Sequence, residues 1–220
     1  MCPIRAGFAR GVTDPPAPAR SVAVEPPGRA RYKRGFRSVP LSRANPADLF
    51  RLLADLGIDS RTAEHQAVFT VEQSREIKND LPGGHSKNLF VKDKKGRLFL
   101  IVAQADTRID LKRVHEAIGA SDRVSFGSAD LLREVLGVEP GSVTPFAVMN
   151  DRAGRVSVVL DARLMGNDLV NFHPLVNTAT TTVSREGLVA FLSATGHEPR
   201  IIALPEPSPA DCVGGEAIPS

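Results

Sequence analysis

Six consecutive apolar residues, Leu98-Phe99-Leu100-Ile101-Val102-Ala103, follow the turn Asp93-Lys94-Lys95-Gly96, and that turn follows a second apolar run, Leu89-Phe90-Val91. Two β-rich runs joined by a short turn that contains Gly predict a hairpin over residues 88–103. The second run offers no polar side chain at alternate positions, so both of its faces must be covered. It is therefore expected to be a central strand, with layers packed on each side of its sheet.

The segments around the hairpin alternate irregularly between the two periodicities. Asn45-Pro46 reads as a cap and first helical turn, with Leu49, Leu52, Leu53 and Leu56 on one helix face and Gly57 as the stop. Ala67-Val68-Phe69-Thr70 reads as a short strand and Val71 to Lys78 as a short helix. Leu111, Val114 and Ile118 mark a second amphipathic helix, and Leu131, Leu132, Val135 and Leu136 a third that ends at Gly137. Strands are expected at Val124 to Phe126, Phe146 to Met149, Val156 to Leu160, Leu169 to Phe172, Thr180 to Val183 and Arg200 to Leu204, with a turn at Asn150-Asp151 and Gly154. A last helix is capped by Ser184, buries Leu188, Phe191, Leu192 and Thr195, and stops at Gly196. The pattern lacks the regular strand and helix alternation of a doubly wound parallel sheet, so the expected fold is a single α+β domain.

Composition places that domain within the chain of 220 residues. Eleven of the 17 prolines fall in residues 1–44 or 205–220, and segments of that kind bury little. Residues 1–44 also carry a net charge of +7 against +3 for the whole chain, which leaves −4 for residues 45–220. The expected division is an Arg- and Pro-rich disordered extension at 1–44, a folded domain at 45–204, and a Pro- and Gly-rich tail at 205–220. The excess positive charge lies in a tail, so net charge is weak evidence for RNA binding. An Arg-rich, acid-poor N-terminus shares its bias with organelle import sequences. Its prolines break any amphipathic helix, however, and an unstructured extension or an upstream start explains it equally. Only Cys2 and Cys212 occur, which gives no disulfide framework or thiolate metal site and fits a reducing, cytoplasmic setting. No run of about 18 apolar residues is present, so no membrane association is expected.

Three polar-studded motifs remain. Gly83-Gly84-His85-Ser86-Lys87-Asn88 leads into a strand, which departs from a Walker loop leading into a helix. Read alone, Lys87 is an ordinary surface lysine, but the glycine pair lets RNA approach closely, and Lys87 could then hold a phosphate or the terminal ribose. Gly141-Ser142-Val143-Thr144-Pro145 is either a plain helix-to-strand connection or a rigid loop with its backbone groups aimed at a reacting ester. Asn171-Phe172-His173-Pro174 ends a strand, and His173 is either a hydrogen-bonded structural residue or a substrate-positioning group. Thr178 to Thr182 reads as packing first and pocket lining second. The histidines show no H-x-x-x-H pairing, and no G-x-S-x-G elbow occurs. Chemistry without a metal or other cofactor is expected.

Taken in this order, the three motifs and the text from Asn45 to Leu204 resemble the YbaK-like superfamily of aminoacyl-tRNA deacylases. The likeness is strongest to freestanding relatives of the editing domain of prolyl-tRNA synthetase, in the Ala-tRNA(Pro) deacylase branch. Lys87 matches the essential lysine of that family, Asn88 its neighbour, Gly141 and Pro145 the ends of its G-x-x-x-P loop, and His173 the histidine of its N-F-H-P segment. The resemblance implies a mixed, strongly curved sheet flanked by helices. It implies catalytic roles for Lys87, Gly141 and His173, and substrate contacts from Asn88, Ser142, Val143, Thr144, Pro145 and Phe172. The implied reaction is hydrolysis of the ester joining alanine to the acceptor end of tRNA(Pro), by orienting water and stabilising the oxyanion. The implied partners are mischarged tRNA and a prolyl-tRNA synthetase or an elongation factor. A smaller second pocket would admit alanine and exclude proline, its size set by Val143 or residues near Phe172. Two alternatives stay open: a deacylase for tRNA mischarged with cysteine or serine, and a catalytically silent module that binds tRNA or a synthetase. The resemblance implies nothing for the two tails.

Overall fold

The computed structural model describes residues 43–66 and 81–208. The strand expected at Ala67 to Thr70, the helix expected at Val71 to Lys78, both cysteines and most of the two tails lie outside these residues. Eight strands are described: β1 (Ser60–Glu64), β2 (Gly84–Lys92), β3 (Leu98–Gln104), β4 (Ser125–Phe126), β5 (Val156–Asp161), β6 (Leu169–Phe172), β7 (Ala179–Ser184) and β8 (Arg200–Ile202). The α-helices are α1 (Pro46–Asp55), α2 (Val114–Ile118), α3 (Ala129–Leu136) and α4 (Arg185–Ala194). The strands form one mixed sheet in the order β1-β7-β6-β2-β3-β5-β8, with β4 also paired to β2. The architecture is α+β, an open mixed sheet flanked by helices.

The hairpin is antiparallel, from Ser86 opposite Gln104 to Lys92 opposite Leu98. Alternation sends Leu98, Leu100 and Val102 into the core formed with α1, α3 and α4, and sends Phe99, Ile101 and Ala103 into a smaller core under α2. Every apolar residue of that run is buried, as a strand covered on both faces requires.

Local signals set the helix ends. Asn45 and Asp48 form a reciprocal capping box ahead of Pro46. Ser128 and Ser184 cap α3 and α4, and Gly137 ends α3 in the left-handed conformation. Ala44 is buried and donates its N–H to Asn150 Oδ1 at 2.8 Å, tying the chain before α1 to the core. Among the described residues no helix is long and apolar enough to cross a membrane.

Two readings need correction. Phe146 to Met149 is part of a 3-10 helix, Pro145–Asn150, and not a strand. Pro145 fixes a helical φ at its first position and Thr144 accepts from the Phe146 N–H, while a short, fully buried apolar run carries no periodicity that separates strand from helix. The edge strand β1 went unrecognised because Ser60–Glu64 is almost wholly exposed and lacks an apolar alternation. Its pairing with β7, Ser60 opposite Val183 through Glu64 opposite Ala179, is a long-range contact.

Candidate active site

The edge of β2 opposite β3 is shared by two strands. Strand β6 pairs with it in parallel only at Gly84 and His85, and β4 pairs with it only at Val91 and Lys92. The Gly127 N–H extends the β4 side by donating to the Phe90 carbonyl at 2.9 Å, so Ser86 to Leu89 face a split in the sheet, and the other two motifs close on this split.

The Gly141 to Pro145 loop reaches it first. Asn88 Nδ2 donates to the Val143 carbonyl at 2.9 Å. That bond fixes the amide orientation, and Asn88 Oδ1 is then a buried acceptor without a partner among the described residues. Gly141 is exposed at φ +89, Ser142 is buried with its N–H on the Glu139 carbonyl, and Val143 is half-buried. Thr144 and Pro145 are buried where the loop becomes the 3-10 helix, so they brace its end.

The segment after β6 supplies the third side. Asn177 Nδ2 lies 4.0 Å from the point where a Cβ on Gly141 would sit. Asn171, which sequence reasoning gave no separate role, is buried and ties the motifs together. Its Nδ2 donates to the Pro82 and Gly84 carbonyls at 3.0 and 3.3 Å, its Oδ1 accepts from Thr182 Oγ1 at 2.5 Å, and its carbonyl accepts from Ser86 Oγ at 3.0 Å. Phe172 lies in the main core, its ring edge-on to Phe146 at 5.6 Å and 81°. The stack fixes the loop's 3-10 helix against β6.

His173 follows directly. Its Nδ1 faces the Ala179 carbonyl at 3.0 Å, so that nitrogen carries the hydrogen and Nε2 holds a lone pair. Burial holds its imidazole below the usual histidine range, outweighing the bond to Ala179, and His65 adds to the lowering. The His65 ring is 6.3 Å away, with its Nδ1 on the Gln66 carbonyl and its Nε2 accepting from Thr180 Oγ1 at 2.9 Å. Of the run Thr178 to Thr182, Thr178 is exposed, whereas Thr180, Thr181 and Thr182 are buried and their hydroxyls bond to His65, Thr62 and Asn171. The packing role expected of the run holds for these three residues.

Cross-strand partners share a face, and alternation along β2 therefore separates its two motif residues. Asn88 lies on the side of Phe90 and the main core. Lys87 shares the other side with Leu89 and Val91. That face also carries the row His85, Asn171 and Thr182 across β2, β6 and β7. Lys87 is half-buried, and its Nζ donates to the Thr107 carbonyl. Sequence reasoning missed Thr107, because the bond joins β2 to the connection after β3. It also missed the backbone of Leu175, at φ +68 the non-glycine residue with positive φ among those described. Its buried side chain holds this strained turn between His173 and Asn177.

Residues 65–191 match the family model of the aminoacyl-tRNA editing domain. The chain is 39% identical over 153 residues to the prolyl-tRNA editing protein ProX of Acetoanaerobium sticklandii, an alignment covering 69% of this chain and 93% of that protein. It is also 39% identical over 159 residues to prolyl-tRNA synthetase associated domain-containing protein 1 of Xenopus laevis, covering 70% of this chain and 94% of the relative. A crystal structure of a candidate trans-editing enzyme for prolyl-tRNA synthetase superposes with a TM-score of 0.57 at 19% identity, over 76% of this chain and all of the other, which is a likeness of fold.

Proposed function

The chain belongs to the aminoacyl-tRNA editing domain family, and on that premise we propose that it is a trans-editing deacylase that hydrolyses the ester of mischarged tRNA, with Ala-tRNA(Pro) as its substrate. The observation that carries this reading is the meeting of three motifs, distant in sequence, at one split in the sheet, joined by the Asn88 to Val143 and Ser86 to Asn171 hydrogen bonds.

In this reading Lys87 holds a phosphate or the ribose of the terminal adenosine as a compact positive charge. Gly141 and the loop backbone up to Pro145 face the ester, where fixed N–H groups stabilise the developing oxyanion without having to reorganise. His173, neutral with its Nε2 lone pair available, orients either the attacking water or the amino group of the substrate. An aminoacyl ester is activated by the neighbouring ribose hydroxyl, so positioning supplies much of the required acceleration. Asn88 acts by fixing Val143, and Phe172 acts through its packing on Phe146. Ser142 and Thr144 shape the loop, and Val143 limits the size of the amino acid admitted.

A prolyl-tRNA synthetase or an elongation factor would deliver the substrate. The test is single-turnover hydrolysis of Ala-tRNA(Pro) and Pro-tRNA(Pro) by the wild type and by Lys87→Ala. Rapid loss of alanine alone, abolished by the substitution, supports the assignment. Cleavage of neither ester would overturn it, and tRNAs charged with cysteine and serine would then identify a different substrate.

A further inference from the structure

Asp161 is fully buried at the end of β5, and the reading above gives it no task. An internal carboxylate is costly unless it is well satisfied. Here it accepts three hydrogen bonds: Oδ2 from the Gln104 N–H at 3.1 Å and Thr107 Oγ1 at 2.8 Å, and Oδ1 from the Arg163 N–H at 3.1 Å. The first two donors come from the end of β3 and the turn behind it, where the Thr107 N–H also closes onto the Gln104 carbonyl at 3.0 Å. Thr107 is itself buried, and its carbonyl is the one that accepts from Lys87 Nζ.

We propose that Asp161, acting through Thr107, is a positioning residue for Lys87. This rests on the role assigned to Lys87 above and extends it to the group behind that lysine. A lysine side chain has four rotatable bonds and no preferred fork, so its ammonium is placed only by what its N–H bonds reach. A carbonyl held rigidly by a buried carboxylate takes one of the ammonium's N–H bonds and fixes its direction. Among the described residues, charged or titratable groups near this arrangement include His85 on the same face of β2, Asp106 and Arg108 beside Thr107, and Arg163, whose guanidinium pairs with Glu206 at 2.9 Å.

The experiment uses the full chain with Thr107→Val, Thr107→Ser and Asp161→Asn. Thr107→Val is close in shape and removes only the hydroxyl bond to Asp161. Two quantities are read: single-turnover deacylation across tRNA concentrations, and the NMR signal of the Lys87 side-chain amine, assigned by its loss in Lys87→Arg. The expected result for Thr107→Val is a rate at saturating tRNA lowered about 10- to 100-fold, the cost of a displaced catalytic group, with a smaller change in the half-saturating concentration. The Lys87 signal shifts. Thr107→Ser restores both, and Asp161→Asn reproduces the valine variant if it folds. Wild-type rates together with an unmoved Lys87 signal in Thr107→Val would overturn the inference, as would a rate loss that leaves that signal unmoved. If the wild type cleaves no mischarged tRNA, the proposed function fails, and the Lys87 signal alone decides the role of Asp161.

Discussion

Replacing Gly83 with alanine tests the junction on which the site depends. Gly83 sits at φ +98, and a Cβ there would lie 2.4 Å from the Leu169 carbonyl oxygen, a backbone atom that cannot swing aside. Two costs add. The left-handed backbone costs an L-residue about 1–2 kcal/mol. Forcing neighbouring backbone apart costs about 1–3 kcal/mol more, as overpacking does elsewhere. Gly96 provides the control, because it has φ +76 and nothing within 4 Å of its would-be Cβ, so Gly96→Ala isolates the first cost. In chemical denaturation Gly96→Ala should lose about 1–2 kcal/mol, and Gly83→Ala about 2–5 kcal/mol, the sum of both costs. Relief of the clash separates β2 from β6 where Gly84 and His85 pair with Val170 and Asn171, two residues before Lys87 and His173. Deacylation by Gly83→Ala should therefore fall about 10-fold or more under conditions where it remains folded, while Gly96→Ala keeps wild-type rates. Equal destabilisation by the two substitutions, or full activity in Gly83→Ala, would refute the reasoning.

The remaining predictions concern titration and packing. His173 is held below the usual value of 6.5, so its neutral form persists as pH falls past that value; the deacylation rate should stay level through pH 6.5 and decline only below it, and His173→Asn should abolish the decline. A break at or above 6.5 in a pH–rate profile would contradict the assignment. His197 Nε2 lies 3.1 Å from Asp151 Oδ2 with both side chains buried, so His197→Leu, which leaves the carboxylate without that partner, should cost about 3 kcal/mol in urea denaturation. The Asp151 carboxyl is held below its usual value by the His197 bond and the Arg155 and Val156 N–H groups, which together outweigh its burial. Its contribution is complete above the unfolded-state value near 3.8 and is lost as pH falls through the lowered folded value, so Asp151→Asn should flatten the acid limb of stability against pH. Phe146 packs edge-on against both Phe172 and Phe191 at 5.6 and 5.2 Å, and Phe146→Ala should destabilise by about 3–5 kcal/mol and loosen the Gly141 to Pro145 loop, visible as broadened Val143 and Asn88 resonances.

The elements legible in sequence were those whose cause is local. Asn45 with Pro46, Ser128 and Ser184 announce helix starts because a cap acts on N–H groups two or three residues away. The unbroken apolar run of β3 announces a central strand because burial of both faces forbids polar alternation. The reading failed at Phe146 to Met149, where burial removes the periodicity, and at Ser60–Glu64, where exposure removes it. The motif residues could be named from resemblance, but their division of labour could not. Adjacent residues such as Lys87 and Asn88 point to opposite sides of one strand, and only the packed layers show which side meets Thr107 and which meets Val143.

The sequence by itself determined the hairpin, its doubly covered strand, the helix caps and the three motifs, since these depend on side-chain chemistry and spacings of a few residues. The tertiary structure alone decided that β6 and β4 share one edge of β2 and leave a split there. It alone set Asn171 across Pro82 and Gly84, and Asp161 behind Lys87. Hydrogen bonds between residues 54 to 89 positions apart leave no periodic trace in the chain, because each partner is an ordinary polar residue until folding removes water and forces it to find the other.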